Sequence, residues 1–185
     1  ENPACPMIIL MSATFDPKLF ADYYGTPKGN IISVVGSTFP IEPHFLKHDA
    51  PNYITKTIEM AKTIHNDNLE DISDTNKVRD ILIFVLGAAA VREIMKGMNE
   101  FNAGMSQKSQ DSQKTINYIA PIELTGKSFD LSGIDYQNLF SDINNIVIPI
   151  YKMEGGKIST TIEKWVKPSR RIIVATNIAE TGITI

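Results

Sequence analysis

Two short runs constrain this chain more than anything else in it: Asp80-Ile81-Leu82-Ile83-Phe84-Val85-Leu86 and Arg171-Ile172-Ile173-Val174-Ala175-Thr176. Each is almost uninterrupted in Val, Ile, Leu and Phe. An amphipathic strand would alternate apolar and polar residues; a continuous apolar strand is covered on both faces. Strands of that kind belong to parallel sheets sandwiched between helices. Gly87 ends the first run and leads into a helical pattern over Ala88 to Phe101. The expected class is therefore α/β, with strand and helix in alternation.

The remaining segments extend the alternation. Met7 to Met11 reads as a buried strand ending at Ser12-Ala13-Thr14. Asp16-Pro17 then reads as a helix start, with Asp16 as cap and Pro17 at the first helical position. That helix is expected to carry Leu19, Phe20 and Tyr23 inward and to stop at Gly25. Ile31 to Val35 reads as another strand, closed by Gly36. Pro40 and Pro43 mark a change of regime, since two closely spaced prolines forbid a helix. Residues 1–37 are thus expected to close one domain and 38–185 to form the next. In the second, a helix is predicted over Tyr53 to Ile64, a strand over Ile146 to Tyr151, and a helix around Thr160 to Val166. Ligands of such sheets collect at the carboxyl ends of the strands.

One stretch resists the pattern. Residues 104–145 begin with a Gln/Ser/Lys-rich piece, Met105 to Lys114, and continue with Tyr118, Ile119, Ile122, Leu124, Phe129, Tyr136 and Phe140. Connections in α/β units are far shorter. The first piece reads as a mobile loop and the second as an inserted hairpin or subdomain, a candidate surface for a protein partner.

Composition bounds the function. A net charge of −3 argues against a binder that works by bulk electrostatics, so any phosphate contact must be local. The local basic candidate is Lys164, Lys167, Arg170 and Arg171 around Trp165, and on charge alone a solvated helix end fits it better. The single cysteine, Cys5, excludes an internal disulfide and fits a reducing, intracellular compartment. No apolar run approaches the length of a membrane span, and the amino terminus does not read as a signal peptide. Both ends read as cuts in a longer protein. His44, His48 and His65 lack the neighbours of a metal site, and no Ser/His/Asp arrangement stands out.

Four strings carry more specific information: Met11-Ser12-Ala13-Thr14-Phe15-Asp16 with Phe20, Tyr24 and Gly25; Gly36-Ser37-Thr38-Phe39-Pro40-Ile41-Glu42; Asp80 to Gly87; and Arg171 to Thr181, ending Ala175-Thr176-Asn177-Ile178-Ala179-Glu180-Thr181. In this order and spacing they resemble DEAH-box RNA helicases of superfamily 2, and the likeness points toward a member from a large DNA virus. It covers the whole chain except the inserted segment. The fold it implies is RecA-like: the end of one motor domain and most of the second.

By position, the resemblance implies that Ser12 and Thr14 couple nucleotide state to the neighbouring domain; a plain strand cap is the alternative. Thr176 and Asn177 would hold an RNA sugar-phosphate strand, with Thr181 on the same loop and helix start; an ordinary Asn/Thr cap is the alternative. Gly87 would offer backbone N–H groups to the RNA. Here Leu86-Gly87-Ala88-Ala89-Ala90 departs from the family by lacking a hydroxyl before the glycine and polar residues after it. Thr184 and Gly182 fall on the nucleotide side, Gly182 in place of a frequent Ser. Trp165, counted back from Arg171, falls where the family places an aromatic that stacks on adenine; a core tryptophan on an amphipathic helix is the alternative.

The resemblance implies ATP and Mg2+ for the whole protein, with RNA as the partner. These 185 residues contain no Gly-x-x-x-x-Gly-Lys-Ser/Thr loop and no Asp-Glu pair ahead of Ser12, so the chain alone is expected not to hydrolyse ATP. Two other readings stay open: a degenerate motor domain kept as a binding scaffold, encouraged by the altered Gly87 site, and a superfamily 2 translocase acting on DNA.

Overall fold

The structure is a computed structural model that describes residues 8–11, 16–27, 30–34, 40–67, 80–109, 116–126 and 134–177. Ser12, Thr14, Thr181, Gly182 and Thr184 lie outside the described residues. The chain divides into two compact units, Glu1–Phe45 and Leu46–Ile185.

In the first unit, helix α1 (Pro17–Tyr24) forms as its sequence dictates. The Asp16 carboxylate accepts from the Lys18 N–H at 2.9 Å, Pro17 takes the first helical position, and Gly25 closes the helix at φ 60. Its expected inward face is not inward: Leu19 is 70% and Tyr23 81% exposed. The strands expected at 7–11 and 31–35 are likewise absent from the described parts of those runs, where Ile9, Met11, Ile32 and Val34 are exposed. A strand exists only through a hydrogen-bonded neighbour, and no described residue offers these runs one.

The second unit holds the predicted α/β core. Helix α2 (Tyr53–Asp67) precedes β1 (Ile81–Phe84), helix α3 (Gly87–Ser109), β2 (Ile119–Leu124) and helix α4 (Ile134–Phe140). After a 3-10 turn at Ile143–Asn145 come β3 (Ile148–Glu154), β4 (Lys157–Val166) and β5 (Arg170–Ala175). β5 lies between β1 and β2, parallel to both, with Phe84 beside Ala175 and Leu124 beside Ala175 in register.

Helices cover both faces. On one side Ala61 of α2 and Val91, Ile94 and Met98 of α3 pack with Ile119, Ile172 and Val174. On the other, Leu139 of α4 packs with Ile122, Leu124, Ile173 and Ala175. The alternate residues of β5 thus serve opposite cores, which is why its sequence is continuously apolar. α2 and α3 approach closely at Gly97, where an added Cβ would lie 2.6 Å from Cδ1 of Ile58.

Three expectations are corrected. The segment 104–145 is no insertion on the rim of the fold: α3 continues to Ser109 with Asn102 and Ser106 buried, and β2 is a member of the main sheet. The strand near Ile146–Tyr151 does form, as β3, but outside the parallel sheet. And the helix expected around Thr160–Val166 is the strand β4, antiparallel to β3. Gly155 and Gly156, at φ 58 and 76, make the tight turn between them, a pair of left-handed residues that matches the twist of a two-residue hairpin. Ile148 and Ile150 pack this hairpin onto Tyr118, Ala120, Ile143 and Ile146.

Candidate nucleic-acid interface

The carboxyl ends of β1, β5 and β2 lie side by side because the sheet is parallel and in register. The Val85 N–H donates to the Ala175 carbonyl at 2.9 Å, and the Thr176 N–H donates to the Leu124 carbonyl at 3.2 Å. These two bonds carry the ladder one residue beyond each strand and bring Gly87, Thr125, Thr176 and Asn177 to one edge. Gly87 has φ 79 and open space around it, a conformation suited to glycine as the chain turns from β1 into α3.

This edge has no charged side chain of its own among 84–89, 124–126 and 175–177. Its polar groups are the exposed first turn of α3, the half-buried Thr176, the exposed Asn177 and the buried Thr125. The first turn of α3 carries no acidic residue, so its positive dipole end is uncompensated there. Ala88 and Ala89 leave its N–H groups open to a close approach. Thr125 Oγ1 donates to the Glu123 carboxylate at 3.0 Å. Such an edge can hold an anionic backbone through amides, hydroxyls and a carboxamide, without reading sequence. Of the expected site residues, the structure brings Gly87, Thr176 and Asn177 together. Thr125 was missed because its strand was read as an insertion, although Ile119 to Leu124 followed by Thr125-Gly126 repeats the strand-then-glycine signal of 81–87.

Trp165 is elsewhere. It lies on β4, beside Pro149 of β3, and is 61% exposed. β4 joins the amino end of β5, whereas Thr176 and Asn177 follow its carboxyl end. The core-tryptophan alternative fails with that exposure. The basic cluster around it also divides. Arg170 is buried, with its guanidinium donating to the Ile64 carbonyl at 3.3 Å. Arg171 is paired with Asp80 at 2.7 Å. Of the four, Lys164 lies with its Nζ 5.6 Å from the centroid of the Tyr118 ring.

Comparison with known proteins bears on what this edge serves. Over 180 residues, 97% of the chain, it is 33% identical to an African swine fever virus protein described as an RNA helicase. The chain is a relative of RNA helicases. It is also 25% identical over 187 residues to the human protein described as ATP-dependent RNA helicase DHX35. With a pre-mRNA-splicing factor ATP-dependent RNA helicase of Schizosaccharomyces pombe it shares 27% over 178 residues. The helicase-related chain spans 17% of the viral relative's length and 21% of the other two. No family model matches it. Its α/β architecture, a parallel sheet between helix layers, is that expected of a RecA-like helicase domain. Among the described residues no helix is long and apolar enough to cross a membrane.

Proposed function

We propose that this chain is part of an ATP-dependent RNA helicase, in which 1–37 close the first RecA-like motor domain and 38–185 belong to the second. The observation that carries the proposal is the shared edge made by the Val85–Ala175 bond, which sets Gly87 and the α3 amino terminus beside Thr176 and Asn177. An RNA backbone lying along it meets N–H groups, the Thr176 hydroxyl and the Asn177 carboxamide, with Thr125 at the flank. Thr181 is proposed to bind RNA as well. Contacts of this kind position a strand uniformly, as stepping along RNA requires.

Ser12 and Thr14 are proposed to couple nucleotide state between domains, and Gly182 and Thr184 to face the nucleotide. Trp165 is proposed to stack on the adenine of the nucleotide. The residues described here do not fit Mg2+: no group of three His, Cys, Asp or Glu is arranged around a metal among them. A protein partner and an intracellular setting belong to the same proposal.

Crosslinking RNA to the intact protein and mapping the adducts tests the reading. Adducts are expected at 86–89 and 176–177; adducts confined to other surfaces overturn it. A scaffold role is separated by the same preparation, since a scaffold binds RNA with no RNA-stimulated ATP hydrolysis.

A further inference from the structure

A half-buried carboxylate, Glu123, flanks the edge formed by Gly87, the first turn of α3 and Thr176. It lies on β2, level with Val174 of β5 and Ile83 of β1, whose side chains belong to the core shared with α2 and α3. Registered neighbours in a parallel sheet point the same way, so Glu123 stands on the α3 side of the sheet. The next residue, Leu124, ends the strand, and its carbonyl accepts from the Thr176 N–H. Among the described residues the partner of Glu123 is the Thr125 hydroxyl at 3.0 Å, and no cation pairs with it. A carboxylate accepts about four hydrogen bonds and donates none. Taking it partly out of water with a single donor costs stability.

We infer that the Glu123 carboxylate reads the ribose 2′-hydroxyl of the bound strand and so makes the edge selective for RNA over DNA; the inference rests on the RNA-directed reading above. Charge selects the partner group. A carboxylate repels phosphates, and those have the amino-terminal amides of α3 at the β1 end of the same edge, two strands or about 10 Å away. What a carboxylate holds on a nucleic-acid strand is a neutral donor. Base amino groups differ from base to base, whereas the 2′-hydroxyl is carried by every ribonucleotide and distinguishes RNA from DNA. An acceptor for it keeps the contact uniform along the strand, as a backbone-directed edge requires. Thr125 braces the carboxylate: its hydroxyl donates to Oε1 and leaves Oε2 to the ribose. Thr125 is itself buried, which shields that bond from water. A DNA strand makes the phosphate contacts, but the carboxylate then faces a sugar with no donor and loses water without compensation.

The intact protein is titrated, with anisotropy as the readout, with three labelled single strands of equal length: oligouridine, oligo-2′-deoxyuridine and 2′-O-methyl oligouridine. All three carry the same base, and the last keeps the 2′ oxygen without its proton. The parent is expected to prefer oligouridine to both others by about tenfold, and Glu123→Ala to lose that preference because only the ribose contact is removed. Glu123→Val, a better strand former that also lacks an acceptor, gives the same readout should the alanine variant unfold. Equal affinity of the parent for the ribo and deoxy strands overturns the inference and leaves the RNA-directed reading standing. Binding of the 2′-O-methyl strand as tight as that of oligouridine overturns it too, since that strand has no proton to give. Weakening of all three strands alike in the variants also overturns it, because a structural role acts that way. No binding of any strand overturns the inference and counts against the reading beneath it.

Discussion

The Asn102 carboxamide binds Ile119 at both of its main-chain polar groups: Nδ2 donates to the Ile119 carbonyl at 2.8 Å, and the Ile119 N–H donates to Oδ1 at 3.1 Å. β5 occupies the opposite edge of β2, so a side chain on α3 stands in for the next strand. Both residues are buried, out of reach of bulk solvent. Asn102→Leu keeps the volume and leaves two buried backbone groups unsatisfied. A loss of about 2–4 kcal/mol is expected in denaturant unfolding, with Asn102→Ala similar or worse. A loss below about 0.5 kcal/mol would show that the pairing is incidental to the sheet.

Arg171 ties three elements together. Its Nε reaches Asp80 Oδ2 at 2.7 Å, ahead of β1, while its guanidinium donates to the Leu139 and Ser141 carbonyls at 2.9 Å, at the end of α4. A cation at a helix carboxyl end satisfies carbonyls that have no partner within the helix. Arg171→Ala should therefore cost more than Asp80→Ala, about 3 against about 1 kcal/mol. A double-mutant cycle on these two positions checks it. Equal costs would mean that the ion pair, and not the helix cap, is the main contribution.

His65 makes stability depend on pH. Its Nε2 lies 2.8 Å from the Asn117 carbonyl oxygen, which assigns the proton to Nε2. Burial pulls its pKa below the usual 6.5; the bond to Asn117 opposes the shift, and the Arg170 charge adds to it. The folded state thus binds the proton less readily than the unfolded chain. The contribution is complete above 6.5 and is lost as pH falls from there through the folded-state value, by at most about 1.4 kcal/mol per pH unit. Unfolding of His65→Gln, which can still donate to Asn117, should show a shallower acid slope than the parent in that window. Parallel slopes would remove His65 from the account.

Asn177 offers the most direct mutational reading of the edge. In the intact protein Asn177→Ala is expected to weaken single-stranded RNA by about tenfold, equally for unrelated sequences. Anisotropy with two RNAs of different composition measures this. A loss confined to one sequence would contradict a backbone contact.

Much of the second unit was legible in its residues. The runs at 80–86 and 171–176 announce buried parallel strands because each side chain has a core to enter, and Asp16-Pro17 with Gly25 encodes the ends of α1 locally. The 160–166 segment misled because Ile158, Ile162, Trp165 and Val166 also satisfy a helical spacing. Gly155-Gly156 carried the hairpin signal that decides between the two. The polar run at 105–114 hid the continuation of α3 and, with it, the strand that follows.

Sequence by itself determined what depends on neighbours along the chain: helix caps, glycine turns, the burial of continuous apolar runs, and the kinship with RNA helicases. Tertiary structure alone decided which strands are neighbours. That choice put β2 beside β5, brought Thr125 to the same edge as Thr176, and left Trp165 outward on a hairpin. The physical reason is that backbone N–H and C=O groups of a strand are satisfied across space, by partners that may stand 50 residues or more away, as between Ile119 and Arg170.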